Sequence, residues 1–379
     1  MNRAASLVAN LSLLVLPTVT SAASIIPIDS LPSGNGYSTP HGVSNDGTAV
    51  VGSSNRSAIG YEAFRWTKDK GTVGLGFLVG KNRIDAFGTS ENGSIAVGWS
   101  SSSSGGYEAF RWSEHSGMTG LGFLAQGVAS YAHGVSSNGE VIVGFSESTN
   151  GKEAFSWTEA GGMIGLGDLQ GGTVYSEATG VSGDGSVVVG SSDSSNGTEA
   201  FRWTASQGMI GLGAFPNEDG LRSTATGVSK NGQVVIGYSR SETSSSEAFR
   251  WTEWEGLVAL GTLPNWPSSS YALGTSHDGS AIVGMSFYES TNQAFLWTKG
   301  SGMRSLEDVL REQGTDLTGW SALREATAIS SNGRFVVGFG SYNGQESKAF
   351  IAELEAVPEP MSLAALALGV AVVVRRRRR

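Results

Sequence analysis

GVSGDGSVVVGSSDSSNGTEAFRWT, residues 180–204, decides the fold, because close copies of it recur along the chain. Its first signal is Asp184-Gly185, and the same kind of pair stands at Asp46-Gly47, Asn92-Gly93, Asn138-Gly139, Asn231-Gly232, Asp278-Gly279 and Asn332-Gly333. Asn-Gly and Asp-Gly tolerate the positive φ angles of a type I′ turn, so each pair predicts a tight β-hairpin. Five residues after each of these glycines comes another, from Gly52 to Gly338, closing a short run such as Val187-Val188-Val189. A run that short and apolar reads as a strand buried on both faces. An Ala-Phe pair follows, with its rings at Phe64, Phe110, Phe155, Phe201, Phe249, Phe295 and Phe350, and in six copies a tryptophan stands two places later.

In EAFRWT the alternation of a strand puts Phe and Trp on one face and Ala and Arg on the other, so large rings of one unit can meet small residues of the next. GMIGLGDL at 162–169 supplies a fourth element, giving four strands per unit at a spacing of about 46 residues. That period fits a β-propeller and is too long for the rungs of a β-helix. The seventh unit has no fourth strand of its own after Ala349-Phe350-Ile351, while IIPIDSL at 25–31 is an orphan strand at the other end. The expectation is therefore an all-β protein, a seven-bladed β-propeller of four-stranded antiparallel blades whose ring is closed by the N-terminal strand. Between Met303 and Ala328 the seventh unit is lengthened, and SLEDVLREQG at 305–314 predicts a short helix with Ser305 as its N-cap.

Composition narrows the function. With no cysteine among 379 residues, disulfides, zinc-thiolate sites and cysteine nucleophiles are excluded. A net charge of −9 argues against nucleic acid as a partner, since phosphate contacts need a basic face.

The two ends read as addresses. Residues 1–23 place Arg3 before an apolar run and finish in small residues, the order of a secretory signal peptide. The body spans 24–356. The tail, 357–379, has an apolar run from Met361 to Val374 followed by Arg375, Arg376, Arg377, Arg378 and Arg379. As a helix that run would reach about 21 Å, a marginal transmembrane helix against a hydrocarbon core of about 30 Å, and the arginine cluster would act as a stop-transfer signal. With Pro358, Glu359 and Pro360 ahead of it, the tail resembles the PEP-CTERM sorting segments of Gram-negative bacteria that make exopolysaccharide. The resemblance implies an exosortase-type sorting protease as partner, a transient inner-membrane anchor through the C-terminal helix, and delivery to the cell surface or extracellular matrix. The repeats resemble the HAF-repeat family of extracellular bacterial proteins, although the histidine of that motif is replaced by Glu62, Glu108, Glu153, Glu199, Glu247, Gln293 and Lys348. This second resemblance implies export and a surface setting, and brings no reaction with it.

No catalytic constellation declares itself. His41, His115, His133 and His277 lack metal-ligand spacing, so no metal and no cofactor is expected; His41 and His133 hold matching positions in different units. GLGFLVG departs from the dinucleotide fingerprint in spacing and precedes no helix. The recurring glutamates could pair as glycosidase carboxylates, but their presence in nearly every unit, with Arg65, Arg111, Arg202 and Arg250 three places on, points to a repeated structural contact. DSSNGTE at 193–199 has oxygen ligands at intervals that only partly match a calcium loop. The connections between units vary most, and they carry the candidate ligand contacts Tyr131, Tyr175, Trp266, Tyr271 and Trp320. The function expected is a non-enzymatic binding module for extracellular polysaccharide or a surface protein. A secreted carbohydrate-active enzyme, lyase or glycosidase, and a purely architectural matrix protein are the alternatives.

Overall fold

Each Ser-x-Asx-Gly stretch makes the same turn, and the turn sets the first hairpin of its unit. In the quoted copy the Ser182 hydroxyl donates to Asp184 Oδ1 at 2.6 Å and accepts the Val187 N–H at 3.0 Å, while the Gly185 N–H returns to the Ser182 carbonyl at 3.0 Å. Only the glycine has a positive φ, +79°, and no Asx residue of the seven turns does. The type I′ expectation is therefore corrected: the chain uses a longer loop with one left-handed glycine at its end, and the serine supplies the closing bonds.

The structure, a computed structural model, describes residues 22–32, 34–56, 60–78, 83–101, 106–149, 151–216, 220–242, 245–264 and 268–355. Within them the quoted unit forms strands Gly171–Val181, Val187–Ser194, Gly197–Thr204 and Gly208–Gly211, paired antiparallel in that order. The other units repeat the plan. In the last, Trp320–Ile329, Phe335–Tyr342 and Gln345–Glu353 are joined at the edge by the leading strand Ser24–Ile28, with Ile26 opposite Ile351.

Ring-on-small packing holds at every junction. Phe110 packs with Ala63 of the preceding unit, Phe155 with Ala109, Phe201 with Ala154, Phe249 with Ala200, Phe295 with Ala248 and Phe350 with Ala294. Phe64 of the first unit packs with Ala349 of the last, beside Ile28 and Leu31 from the leading segment. All seven phenylalanines are fully buried, each worth about 2–3 kcal/mol of transfer free energy. The second glycine of each unit is required by this packing. A Cβ on Gly190 would stand 1.8 Å from the Glu177 carbonyl oxygen, and one on Gly237 2.9 Å from the Phe249 ring.

Two expectations are corrected at the level of the sheets. The described residues do not form seven discrete four-stranded blades, and no sheet closes on itself into a ring or barrel. Four sheets have four strands, and the third, fourth and fifth units fuse into one twelve-stranded mixed sheet. The joins are short parallel pairs in which the strands entering the fourth and fifth units meet the start of the third strand of the preceding unit, Lys152 opposite Tyr175 and Thr198 opposite Arg222. The seven-bladed, ring-closed β-propeller is thus replaced by an all-β, multi-sheet repeat fold.

A further correction concerns the membrane. Among the described residues no helix is long and apolar enough to cross a bilayer, and the helix they contain is the seven-residue Leu306–Glu312, capped by Ser305 as expected. The sorting segment expected at 357–379, with Pro358, Glu359, Pro360, the transmembrane helix from Met361 to Val374 and Arg375–Arg379, lies outside the described residues, as do residues 1–21 of the signal peptide expected at 1–23. The exosortase-type partner and the transient inner-membrane anchor both need such a helix, and the described residues supply none.

Candidate functional site

A β-bulge occurs at one place in the first strand of every unit, and the extra residue is His41, Phe87, His133, Thr179, Thr226, Leu273 or Thr327. A bulge turns its residue out of the alternation. Here six of them, all but His133, line a shared cavity of about 200 Å³ to which all seven units contribute. Three of the bulged threonines also donate across a junction: Thr179 to the Ala225 carbonyl at 2.8 Å, Thr226 to Ala272 at 2.6 Å and Thr327 to Pro40 at 2.7 Å.

From the bulges a run of rings continues into the half of the sheets remote from the Asx-Gly turns. His41 lies 4.9 Å from Phe87 between ring centres, and Phe87 5.2 Å from His133. His133 meets Phe145 edge-on at 5.6 Å, Phe145 stacks on Tyr131 at 4.6 Å, and Tyr131 touches Trp99 and Tyr107 at 5.7 and 5.6 Å. Charged groups lie against this run. The Lys152 ammonium sits 3.5 Å over Phe145 and 5.1 Å from Tyr175, and pairs with Glu177 at 2.5 Å; Glu177 also stands 3.4 Å from His133 Nδ1. The Arg83 guanidinium lies 5.4 Å over Trp99. Burial, then the Glu147 charge, pushes the Tyr131 hydroxyl up to about 12, so this phenol stays a neutral donor.

The structure brings together two of the expected contact residues. Tyr131 is central to the ring run, and Tyr175 joins it through Lys152 and Glu177, two register positions upstream of where Tyr131 and Tyr271 stand. Tyr271 belongs to another place, edge-on to Tyr238 at 4.9 Å. Trp320 is 8% exposed and packs on Tyr342 and Phe350 within a core cluster. Trp266 lies outside the described residues.

The recurring glutamates have a repeated structural task, as the sequence suggested, but through other partners. Glu108, Glu153 and Glu199 accept the N–H of Gly122, Gly167 and Gly213 at 3.1, 3.1 and 2.8 Å, holding the fourth strand's exit. Their neighbours three places on pair elsewhere: Arg65 donates to the Gly93 carbonyl of the next unit at 2.9 Å, and Arg250 pairs with Glu255.

Sequence reasoning missed two features. Phe87, Phe145, Lys152 and Glu177 were not singled out, because none belongs to a repeated motif. It also missed that all nine tyrosines lie on the half of the sheets remote from the Asx-Gly turns, at the starts of first and third strands and the ends of second strands. The signal was available, since in the repeat frame no tyrosine falls between the Ala-Phe pair and the next unit's first strand.

The class these observations define is an all-β repeat protein with an aromatic and charged cluster on one end of its sheets and a cavity where its units converge. No family model matches the chain, and no curated protein matches it. Among solved structures it is similar to an oligogalacturonate lyase in complex with manganese, at 10% identity over 90% of this chain and 98% of that one, with a TM-score of 0.54. A second oligogalacturonate lyase, from Vibrio parahaemolyticus, is 11% identical over the same shares with a TM-score of 0.50, and TolB from Acinetobacter baumannii is 12% identical over 78% and 76% with 0.46. At such identities the likeness to the lyases is one of fold alone. Among the described residues no three His, Cys, Asp or Glu side chains are grouped to hold a metal ion.

Proposed function

We propose that this chain is a non-enzymatic binding module of the exported HAF-repeat kind, which takes a saccharide chain on the tyrosine-bearing end of its sheets. The observation that supports it is the pair of half-buried rings Tyr107 and Tyr131, held from beneath by the buried Trp99 and Phe145, with Arg83 and Lys152 against the same run. Aromatic faces stack on the apolar faces of sugars, and rings already held by their neighbours lose little entropy on binding. The second reading, a polysaccharide lyase, has the fold likeness to oligogalacturonate lyase in its favour.

One experiment addresses both. The purified protein is passed over immobilised neutral and acidic polysaccharides, and retention and chain cleavage are scored together. Retention without cleavage, weakened about tenfold or more in Tyr131→Ala and Tyr107→Ala variants that keep the wild-type circular dichroism, supports the binding module. Cleavage supports the lyase. Absence of retention, or retention indifferent to both substitutions, overturns the site.

A further inference from the structure

The turn residue that precedes each Asx-Gly pair points to a second site, at the opposite end from the tyrosines. In the second unit it is Glu91 and in the fifth Lys230, and both line the cavity shared by the seven units, together with Asn45 and Ser331. The only other titratable side chain in that lining is His41. A cavity of about 200 Å³ admits a small molecule.

Lys230 and Glu91 come from units three apart in the succession and line the same cavity. The Glu91 charge acts on the lysine. Yet among the described residues no ion pair joins them, and no hydrogen bond is made by either side-chain charge. Opposite charges held apart on the lining of one cavity can be bridged by a group that carries both signs. Burial accordingly lowers the pKa of the lysine. The glycine at the matching turn position, Gly183, has its Cα close to the Lys230 backbone, where a Cβ would meet the Lys230 carbonyl oxygen at 3.0 Å, so no side chain there competes for the space.

We infer that the cavity binds a small zwitterion of the α-amino-acid kind, with its carboxylate on Lys230 and its ammonium on Glu91. A plain carboxylate would satisfy the lysine and leave Glu91 repelling it. A plain ammonium would do the reverse. A zwitterion matches both at once, and a glycine- or alanine-sized molecule fits the volume.

Saturation-transfer NMR on the full-length protein tests this with glycine, acetate and methylammonium as separate probes. Glycine is expected to bind, with acetate and methylammonium each at least about tenfold weaker, and glycine binding is expected to be lost in Lys230→Ala and in Glu91→Ala. Equal binding of acetate and glycine, no transfer to glycine, or glycine binding undiminished in both variants overturns the inference. The wild-type probes decide it even where a variant does not fold. Glycine binding should survive Tyr107→Ala, which separates this site from the saccharide reading above.

Discussion

Glu325 and His41 are ionisable groups that the fold holds in their neutral forms, and they act on stability in opposite senses. Burial pushes the Glu325 carboxyl up from its ordinary 4.5 to about 7. Its contribution is complete below pH 4.5 and is lost as pH rises through 7. Burial, helped by the His133 charge, pushes His41 down from 6.5 to about 4. Its contribution is complete above pH 6.5 and is lost as pH falls through 4. Each shift corresponds to roughly 3 kcal/mol. Between pH 4.5 and 6.5 the two slopes oppose each other, so this pair alone leaves wild-type stability nearly flat there. Glu325→Gln should unmask the histidine, making stability fall by roughly 3 kcal/mol from pH 6.5 to 4 relative to the wild-type profile. His41→Thr, which installs the residue found at the matching bulge of three other units, should unmask the glutamate, with stability falling from pH 4.5 to 7. Urea denaturation at half-unit pH steps reads both, and profiles parallel to wild type would show that neither group is coupled to folding.

At the scale of the element, the serines before the bulges do as much to join units as the aromatic rings. Ser176 is fully buried; its hydroxyl accepts the Ala154 N–H at 2.9 Å and donates to the Gly167 carbonyl at 2.7 Å, so one side chain ties its strand to two elements of the preceding unit. Ser130, Ser223 and Ser270 repeat the pattern. Ser176→Ala would leave two buried backbone groups without their partner and should cost roughly 2 kcal/mol in a denaturant titration. A loss below about 0.5 kcal/mol would mean that water takes the vacated place.

These ties also show what was legible in advance. Strands, their order in a unit and the Phe-on-Ala junctions could be read because burial writes itself as alternation and repeat. The turn type could not, since it depends on the Ser182 hydroxyl closing a loop that Asp184-Gly185 alone would make shorter. Fusion of the three middle units was equally hidden, as the parallel pairs Lys152 with Tyr175 and Thr198 with Arg222 that join them carry no residue signal of their own. Tyr131 and Tyr175 could be named, whereas Phe145 and Lys152, on adjacent strands beside the motif residues Gly144 and Glu153, are not part of the repeated pattern and so carried no signal of their own.

At the scale of the whole molecule, the two ends of the chain share one core. Ile28 and Leu31 from the leading segment lie in the same cluster as Phe64 and Val50 of the first unit and Ala349 and Ile351 of the last. Polar contacts run the same way. Lys348 pairs with Asp29 at 2.6 Å, Thr327 donates to the Pro40 carbonyl, and the Asn332 N–H donates to Asn45 Oδ1 at 2.8 Å. In a repeat array whose terminal units touch only one neighbour, trimming one end frays that end alone. Here the leading strand holds both. Removing residues 24–31 strips the edge of Gln345–Glu353 and, at the same stroke, one wall of the pocket around Phe64. Native-state hydrogen exchange on the trimmed chain should therefore show protection lost in the first and seventh units together, by a similar free energy, while the third to fifth units keep theirs. Loss confined to Gln345–Glu353 would mean that the first unit draws its stability from its other neighbour and owes nothing to the seventh.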